Sequence, residues 1–179
     1  TPSMVLIGGM SGTGKTTVSH ALAPLIGAAP GAIHLRSDLE RKAMRGTDAN
    51  VHLASSDYTP AARIAVYNRM LDRAARIMAA GHSVLIDATF LEASARAAAF
   101  GMAEKAGVAC HALWFEAPLD VLIDRVQARK GDASDADEGV VRLQLEAGKV
   151  PSGWQNLSAA GTPDETIAFA QAALHLPPR

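Results

Sequence analysis

Residues 9 to 16 read Gly9-Met-Ser-Gly-Thr-Gly-Lys-Thr16 and fit the pattern G-x-x-x-x-G-K-[ST]. The chemistry this spacing supports is the holding of a phosphate chain. Glycines at positions 9, 12 and 14 let the backbone curl until successive N–H groups face one concavity. That nest opens onto a helix start, where unpaired donors and the helix dipole favour an anion. Lys15 adds a full positive charge for β- and γ-phosphates, and the Thr16 hydroxyl is placed to ligate Mg²⁺. The expected phosphate-binding set is Gly9, Met10, Ser11, Gly12, Thr13, Gly14, Lys15, Thr16 and Thr17.

Such a loop works only between a strand and a helix, and the flanks supply both. Met4-Val-Leu-Ile7 is an apolar, β-rich run, and Thr17 to Leu25 reads as a helix. Further strands are expected at 33–37, 82–87, 109–116 and, weakly, 155–159. Helices are expected at 61–80, 91–106, 118–129 and 163–174. Another runs from a capping-box-like start at Ser134 and Asp137 to near Gly148. In the 61–80 helix Ile64, Leu71 and Met78 recur at sevens, and Tyr67, Ala74 and Ala75 fill the expected buried face between them. Arg69, Arg73 and Arg76 read as a solvated stripe answered by Asp72. Alternation of strands and helices implies an α/β fold, a parallel sheet covered on both faces, with ligands beyond the carboxyl ends of its strands.

Those strand ends carry a second set of polar groups. After the second strand comes Arg36-Ser-Asp38-Leu-Glu-Arg41, and after the third Asp87-Ala-Thr89. The fourth leads into a helix bearing Arg125 and Arg129, and the fifth is followed by Gly161-Thr162-Pro163. Carboxylates thus face the phosphates from two strands, and an arginine-bearing helix stands ready to close over them.

Composition narrows the partners. The chain has 179 residues, enough for one domain with a full core, and 49% are apolar. The net charge of −1 offers no footprint for a polynucleotide, so nucleic acid is not an expected partner. The single cysteine, Cys110, excludes a disulfide framework and reads as a small core residue. The six histidines show no metal-ligand spacing, so the expected metal is nucleotide-borne Mg²⁺, with Thr16, Asp38 and Asp87 as candidate ligands. No stretch reaches membrane-spanning length and no signal peptide is visible, so the expected compartment is the cytoplasm. The chain opens Thr1-Pro-Ser without an initiator Met, which leaves excision from a longer protein open. Composition says nothing of the oligomeric state.

The motifs together resemble small P-loop kinases of the nucleoside-monophosphate-kinase-like group. The resemblance is strongest to kinases described as AAA-type ATP-binding proteins, some of them fused behind an aminoglycoside-phosphotransferase-like domain. Polynucleotide 5′-kinases, zeta toxins and gluconate kinases are similar relatives. It rests on the phosphate loop, Arg36-Ser-Asp38 with Arg41, Gly81 to Phe90, Asp124-Arg125-Val-Gln-Ala-Arg129 and Gly131-Asp-Ala-Ser-Asp135-Ala, and spans about residues 4 to 174. It implies a P-loop NTPase three-layer sandwich around a five-stranded parallel sheet, with a small arginine-bearing lid at about 129–138. Asp38 matches the carboxylate that deprotonates an acceptor hydroxyl, with Asp87 the rival base. Arg41 matches a substrate-side arginine, and Asp87 and Thr89 a position touching substrate or the Mg²⁺ shell. Arg125 and Arg129 match lid arginines, and Thr162 and Pro163 the loop bracketing adenine. A polar excursion at about 45–60 should set specificity.

Rival chemistries lack their residues. A water-activating Glu would follow Asp87, where Ala88 stands, and there is no Asn-Lys-x-Asp string to read guanine. The expectation is a single domain over 1–179 that uses ATP and Mg²⁺ to phosphorylate a hydroxyl of a small molecule. The alternatives are a polynucleotide or nucleoside 5′-kinase, or a non-catalytic nucleotide-binding module.

Overall fold

Strand β1 (Ser3–Gly9) is buried on both faces: Met4, Val5, Leu6 and Ile7 are each at most 2% exposed. A continuous apolar run of this kind suits a parallel strand with helices above and below it. The computed structural model describes residues 1–49, 51, 53, 58–128, 135–145 and 147–177. Its sheet also contains β2 (Ile33–Arg36), β3 (Val84–Asp87), β4 (Ala109–Glu116) and β5 (Gln155–Ser158), in the order β2-β3-β1-β4-β5, all parallel.

The helices are α1 (Lys15–Leu22), α2 (Ser37–Met44), α3 (Pro60–Ala79), α4 (Ala93–Ala106), α5 (Leu119–Gln127), α6 (Glu138–Gln144) and α7 (Pro163–Ala173). Successive β1 side chains point to opposite faces. Met4 and Leu6 join Val66, Met70 and Ala74 of α3 and Ala95 and Ala99 of α4 in one cluster. Val5 and Ile7 join Val18 and Leu22 of α1 and Ile167 and Ala170 of α7 in the other. This is the expected three-layer sandwich. The chain leaves β1 toward the β2 edge and leaves β4 toward the β5 edge. Ligand sites in open α/β sheets form where neighbouring strands diverge in this way.

Several expectations need correction. The first helix ends at Leu22, and Ala23–Leu25 is a 3₁₀ turn with Pro24 in it. Strand β2 stops at Arg36, so Asp38 does not end a strand. It lies in the first turn of α2, an unanticipated helix, where an acidic side chain suits the dipole. Strand β3 starts at Val84 rather than His82, and α6 ends at Gln144, short of Gly148. Asp137 does cap α6, accepting from the Val140 N–H at 2.9 Å; Ser134 lies outside the described residues. On α3 the buried residues are Val66, Tyr67, Met70, Ala74 and Met78, while Ile64 is 53% exposed. Cys110 is half-buried, and burial pushes its thiol up to about 11.

Two arginines of α3 have a partner that local spacing cannot show. Arg69 Nε donates to Glu40 Oε2 at 2.8 Å, and Arg73 pairs with Glu40 Oε1. Glu40 is 4% exposed, so this double pairing of a buried carboxylate fastens α2 to α3. The two arginines are not a stripe answered by Asp72. Removing both cations leaves Glu40 as a buried, unpaired charge. Arg69→Ala/Arg73→Ala should therefore cost about 3 kcal/mol or more, and Glu40→Gln clearly less. Urea unfolding of both variants checks the order, which a larger loss in Glu40→Gln would contradict.

Candidate active site

The phosphate loop occupies the end of β1, pressed between β4 and α5. A Cβ on Gly9, whose φ is +130°, would meet the Phe115 carbonyl, and one on Gly12 would lie 2.8 Å from the Leu122 carbonyl oxygen. Only glycine permits both this conformation and this closeness. The Gly9 N–H donates to the Thr89 carbonyl at 3.1 Å, tying the loop to the end of β3. Gly14 turns into α1 with φ of 80°, and α1 begins at Lys15. Lys15 Nζ donates to the carbonyls of Gly9 (2.9 Å) and Met10 (2.8 Å), which puts the ammonium at the N-terminal end of the loop.

Beneath the loop lies Asp87, the last residue of β3, 4% exposed. The Thr16 hydroxyl donates to its Oδ2 at 2.6 Å, and His34 Nε2 of β2 approaches the same oxygen at 3.5 Å. Burial alone would raise the Asp87 carboxyl. The His34 hydrogen bond, the Lys15 charge and the Thr16 hydroxyl together hold it below its ordinary value, so it is ionised. With the Thr16 proton directed to Asp87, the hydroxyl oxygen keeps lone pairs for a cation. A hydroxyl and a carboxylate are hard oxygen donors, and among the described residues no group of three or more His, Cys, Asp or Glu could hold a metal alone. The donor set fits Mg²⁺, which keeps waters and takes substrate phosphates as ligands.

Asp38 has the opposite environment. Burial raises its carboxyl, and the Asp87 charge raises it further; Arg41, Lys15 and Arg36 offset this only in part. The structure thus brings together two expected carboxylates and drives their basicities apart. Thr89 lies in the turn after β3, which is rigidly held. Phe90 has φ of 51°, rare for an aromatic residue. Its N–H donates to the Tyr67 hydroxyl at 2.8 Å, and Arg96 donates to the carbonyls of Phe90 and Leu91 at 2.7 and 2.8 Å.

Around Asp38, Arg41 Nη1 reaches Asp38 Oδ1 at 3.4 Å, and its guanidinium lies 4.6 Å from the centre of the Tyr58 ring. The Tyr58 hydroxyl donates to Asp135 Oδ2 at 2.6 Å. The Leu53 N–H donates to the same oxygen at 3.1 Å, and Lys42 Nζ to Asp135 Oδ1 at 3.2 Å and to the Ala49 carbonyl at 2.8 Å. Lys42 is 2% exposed. Sequence reasoning gave no role to Lys42, Tyr58 or His34; His34 and Tyr58 lay inside segments flagged for other reasons, and Lys42 in none. Asp135 was quoted within a motif, without a partner.

Arg125 of α5 donates to the carbonyls of Ala159 and Gly161, both at 2.7 Å, and makes a long 3.5 Å contact with the Gly12 carbonyl. It therefore bridges the phosphate loop and the β5–α7 turn. Thr162 caps α7 in a capping box with Glu165, and Pro163 is the first helical residue. Gly12, Thr17, Arg125, Pro163 and Thr166 line a cavity of about 250 Å³. Arg129 and most of the expected lid lie outside the described residues, as does much of the 45–60 excursion. One contact was wholly unanticipated: Gln144, the last residue of α6, accepts from the Ser11 N–H at 2.8 Å and donates to Ser11 Oγ at 3.2 Å.

The family model described as an AAA domain matches residues 4–151. The chain belongs to this family. Uncharacterized proteins of Mycobacterium tuberculosis and Mycobacterium bovis are each 34% identical over 140 residues, covering 76% of this chain and 27% of theirs. The chain thus spans about a quarter of the length of the curated relatives it matches. Among solved structures it is similar to a gluconokinase from Sinorhizobium meliloti (TM-score 0.66, 22% identity, 97% of this chain and 92% of that one). It is also similar to the Mycobacterium tuberculosis APS kinase in complex with AMPPNP and APS (TM-score 0.65, 20% identity, 97% and 98%). The fold is that of small P-loop kinases. No helix among the described residues is long and apolar enough to cross a membrane.

The Asp135 cluster generates a test. Burial opposes ionisation of Asp135, but Tyr58, the Leu53 N–H and Lys42 hold its carboxyl below the ordinary 3.8. A depressed carboxylate contributes stability above its unfolded pKa and loses it as pH falls through the folded one. Asp135→Asn also leaves the Lys42 ammonium without its counter-charge, and should cost about 3 kcal/mol at pH 7. Denaturant unfolding from pH 7 to pH 3 should show the gap to wild type narrowing below about pH 4. A gap independent of pH would contradict the ionic role.

Proposed function

We propose that the chain is an ATP-dependent kinase that transfers the γ-phosphate to a hydroxyl of a small molecule. The observation that carries this reading is a pair of neighbouring carboxylates, one at the end of β3 and one in the first turn of α2: Asp87 kept ionised against Thr16, Asp38 kept basic beside it. Two titratable groups driven apart in this way are suited to different tasks. Asp87 serves the cation-bearing phosphate chain. Asp38 accepts the proton of the acceptor hydroxyl as its oxygen attacks the γ-phosphorus; the bond to the bridging oxygen breaks and ADP leaves. Mg²⁺, when bound, neutralises charge on the β- and γ-phosphates.

The remaining residues position the reactants. Gly9 to Thr17 and Lys15 hold the phosphates, and the Arg125–Pro163 cavity takes the base. Arg41, braced on Tyr58, faces the acceptor, and Thr89 borders it. Arg129 carries the lid role that the resemblance implies. Support for a small acceptor comes from the similar solved structures, whose names include a gluconokinase and an APS kinase, and from the net charge of −1. The cytoplasm is the compartment that fits an ATP-consuming enzyme.

The test is transfer from ATP to a panel of sugars, aminoglycosides, nucleosides and 5′-hydroxyl oligonucleotides. A phosphorylated small molecule is expected. ATP binding with no acceptor phosphorylated would favour the non-catalytic module, and label on the oligonucleotide the 5′-kinase. Lys15→Ala should fold normally and lose about 10²–10³ in rate. Asp38→Asn should keep ATP affinity within a few-fold and lose about 10²–10⁴ in transfer. Full transfer by Asp38→Asn, with the loss appearing in Asp87→Asn, would reverse the two roles.

A further inference from the structure

Gln144 touches the phosphate loop from 133 residues away, and nothing in the proposed chemistry accounts for it. Its placement is firmly built. Helix α6 packs Val141 onto Met10, Leu122 and Val126, and Gln127 Nε2 of α5 donates to Glu138 Oε2 at 2.9 Å. Asp137 caps the helix start. Just past its end, a Cβ on Gly148 would lie 2.6 Å from the Met10 sulfur, so Gly148 also sits against the loop.

The backbone group that Gln144 takes is informative. Lys15 Nζ rests on the Gly9 and Met10 carbonyls, at the end of the loop where this lysine meets β- and γ-phosphates. Ser11 directly follows Met10, so its N–H sits at the same end of the loop as the Lys15 ammonium. One N–H serves one acceptor well. Gln144 Oε1 and a phosphate oxygen are both acceptors, so they compete for it.

We propose that Gln144 is a specificity-determining residue that reads the terminal phosphate: its side-chain amide holds the Ser11 N–H and must yield it to a nucleoside triphosphate, but not to a diphosphate. The inference rests on the phosphate loop being the ATP site. It has a conformational corollary. Yielding Ser11 frees the C-terminal end of α6, whose approach through Asp135 is tied to Lys42, Tyr58 and Leu53 on the acceptor side. Arrival of a γ-phosphate is thereby communicated to the acceptor side of the site.

The test is calorimetric measurement of Kd for the non-hydrolysable triphosphate AMPPNP and for ADP, both with Mg²⁺. The proteins are wild type, Gln144→Ala and Gln144→Glu, with melting temperature as the folding control. Alanine removes the competitor, so AMPPNP should tighten about fivefold, the weight of one net hydrogen bond, while ADP stays within about twofold. Glutamate keeps the acceptor and charges it, so AMPPNP should weaken by about tenfold or more and ADP far less. Equal shifts for the two nucleotides, or weaker AMPPNP binding in Gln144→Ala, overturn the proposal. Binding of both nucleotides with a ratio unmoved by either variant rejects this inference alone. A wild type that binds neither nucleotide rejects the phosphate site, and this inference with it.

Discussion

A buried carboxylate stays ionised only if the protein replaces the hydration it has lost. Asp87 is 4% exposed and receives that replacement from three directions. Thr16 donates from the helix after β1, His34 approaches from β2, and the Lys15 charge acts across the loop. These groups converge because β2, β3 and β1 are adjacent in the sheet, in a register that sets Arg36 and Ile7 level with Asp87. The strand order is thus part of the site. With β3 elsewhere, the phosphate loop would lose both its hydroxyl anchor and the Gly9–Thr89 bond that fixes its first turn.

Burial raises the Asp38 carboxyl, and ionised Asp87 raises it further. Two nearby carboxylates resist ionising together, and the more buried and better bonded one keeps the charge. Asp38 is left basic and partly accessible in the first turn of α2, facing Arg41. From Arg41 a physical path runs outward: guanidinium over the Tyr58 ring, Tyr58 to Asp135, and Asp135 into the approach to α6. It returns to the loop through Gln144 and Ser11. The Arg41–Tyr58–Asp135 cluster and the phosphate loop therefore share one element, α6, pinned near both ends. Glu40 holds α2 in place for this arrangement by its double pairing with α3.

Much of this was legible in the sequence because it is local. The phosphate loop announces itself in eight residues, and apolar runs ending in Asp87 and Glu116 mark buried parallel strands. Helix α2 was not legible: it is eight residues long, has no side-chain cap, and its N-cap is an arginine. Its neighbours in sequence gave no apolar period to follow. The α3 face was placed only in part: Tyr67, Ala74 and Met78 are buried as expected, but spacing by sevens drifts about 20° per heptad around a straight helix, so Val66 and Met70 were missed and Ile64 lies outside. The Glu40, Asp135 and Gln144 contacts join residues 29 to 133 positions apart, and residue type alone cannot pair such groups. Arg125 was legible as a site residue, but its two carbonyl acceptors after β5 were not, since those are backbone atoms in a turn.

The central claim is that Thr16 and Asp87 together make a cation-dependent phosphate site. It is tested most directly by titrating ATP with and without Mg²⁺ into wild type and Asp87→Asn. Mg²⁺ should tighten ATP binding to the wild type and have little effect on the variant, with metal-free ATP binding similar in the two. ATP binding indifferent to Mg²⁺ in the wild type, or equally responsive in both proteins, would contradict the account.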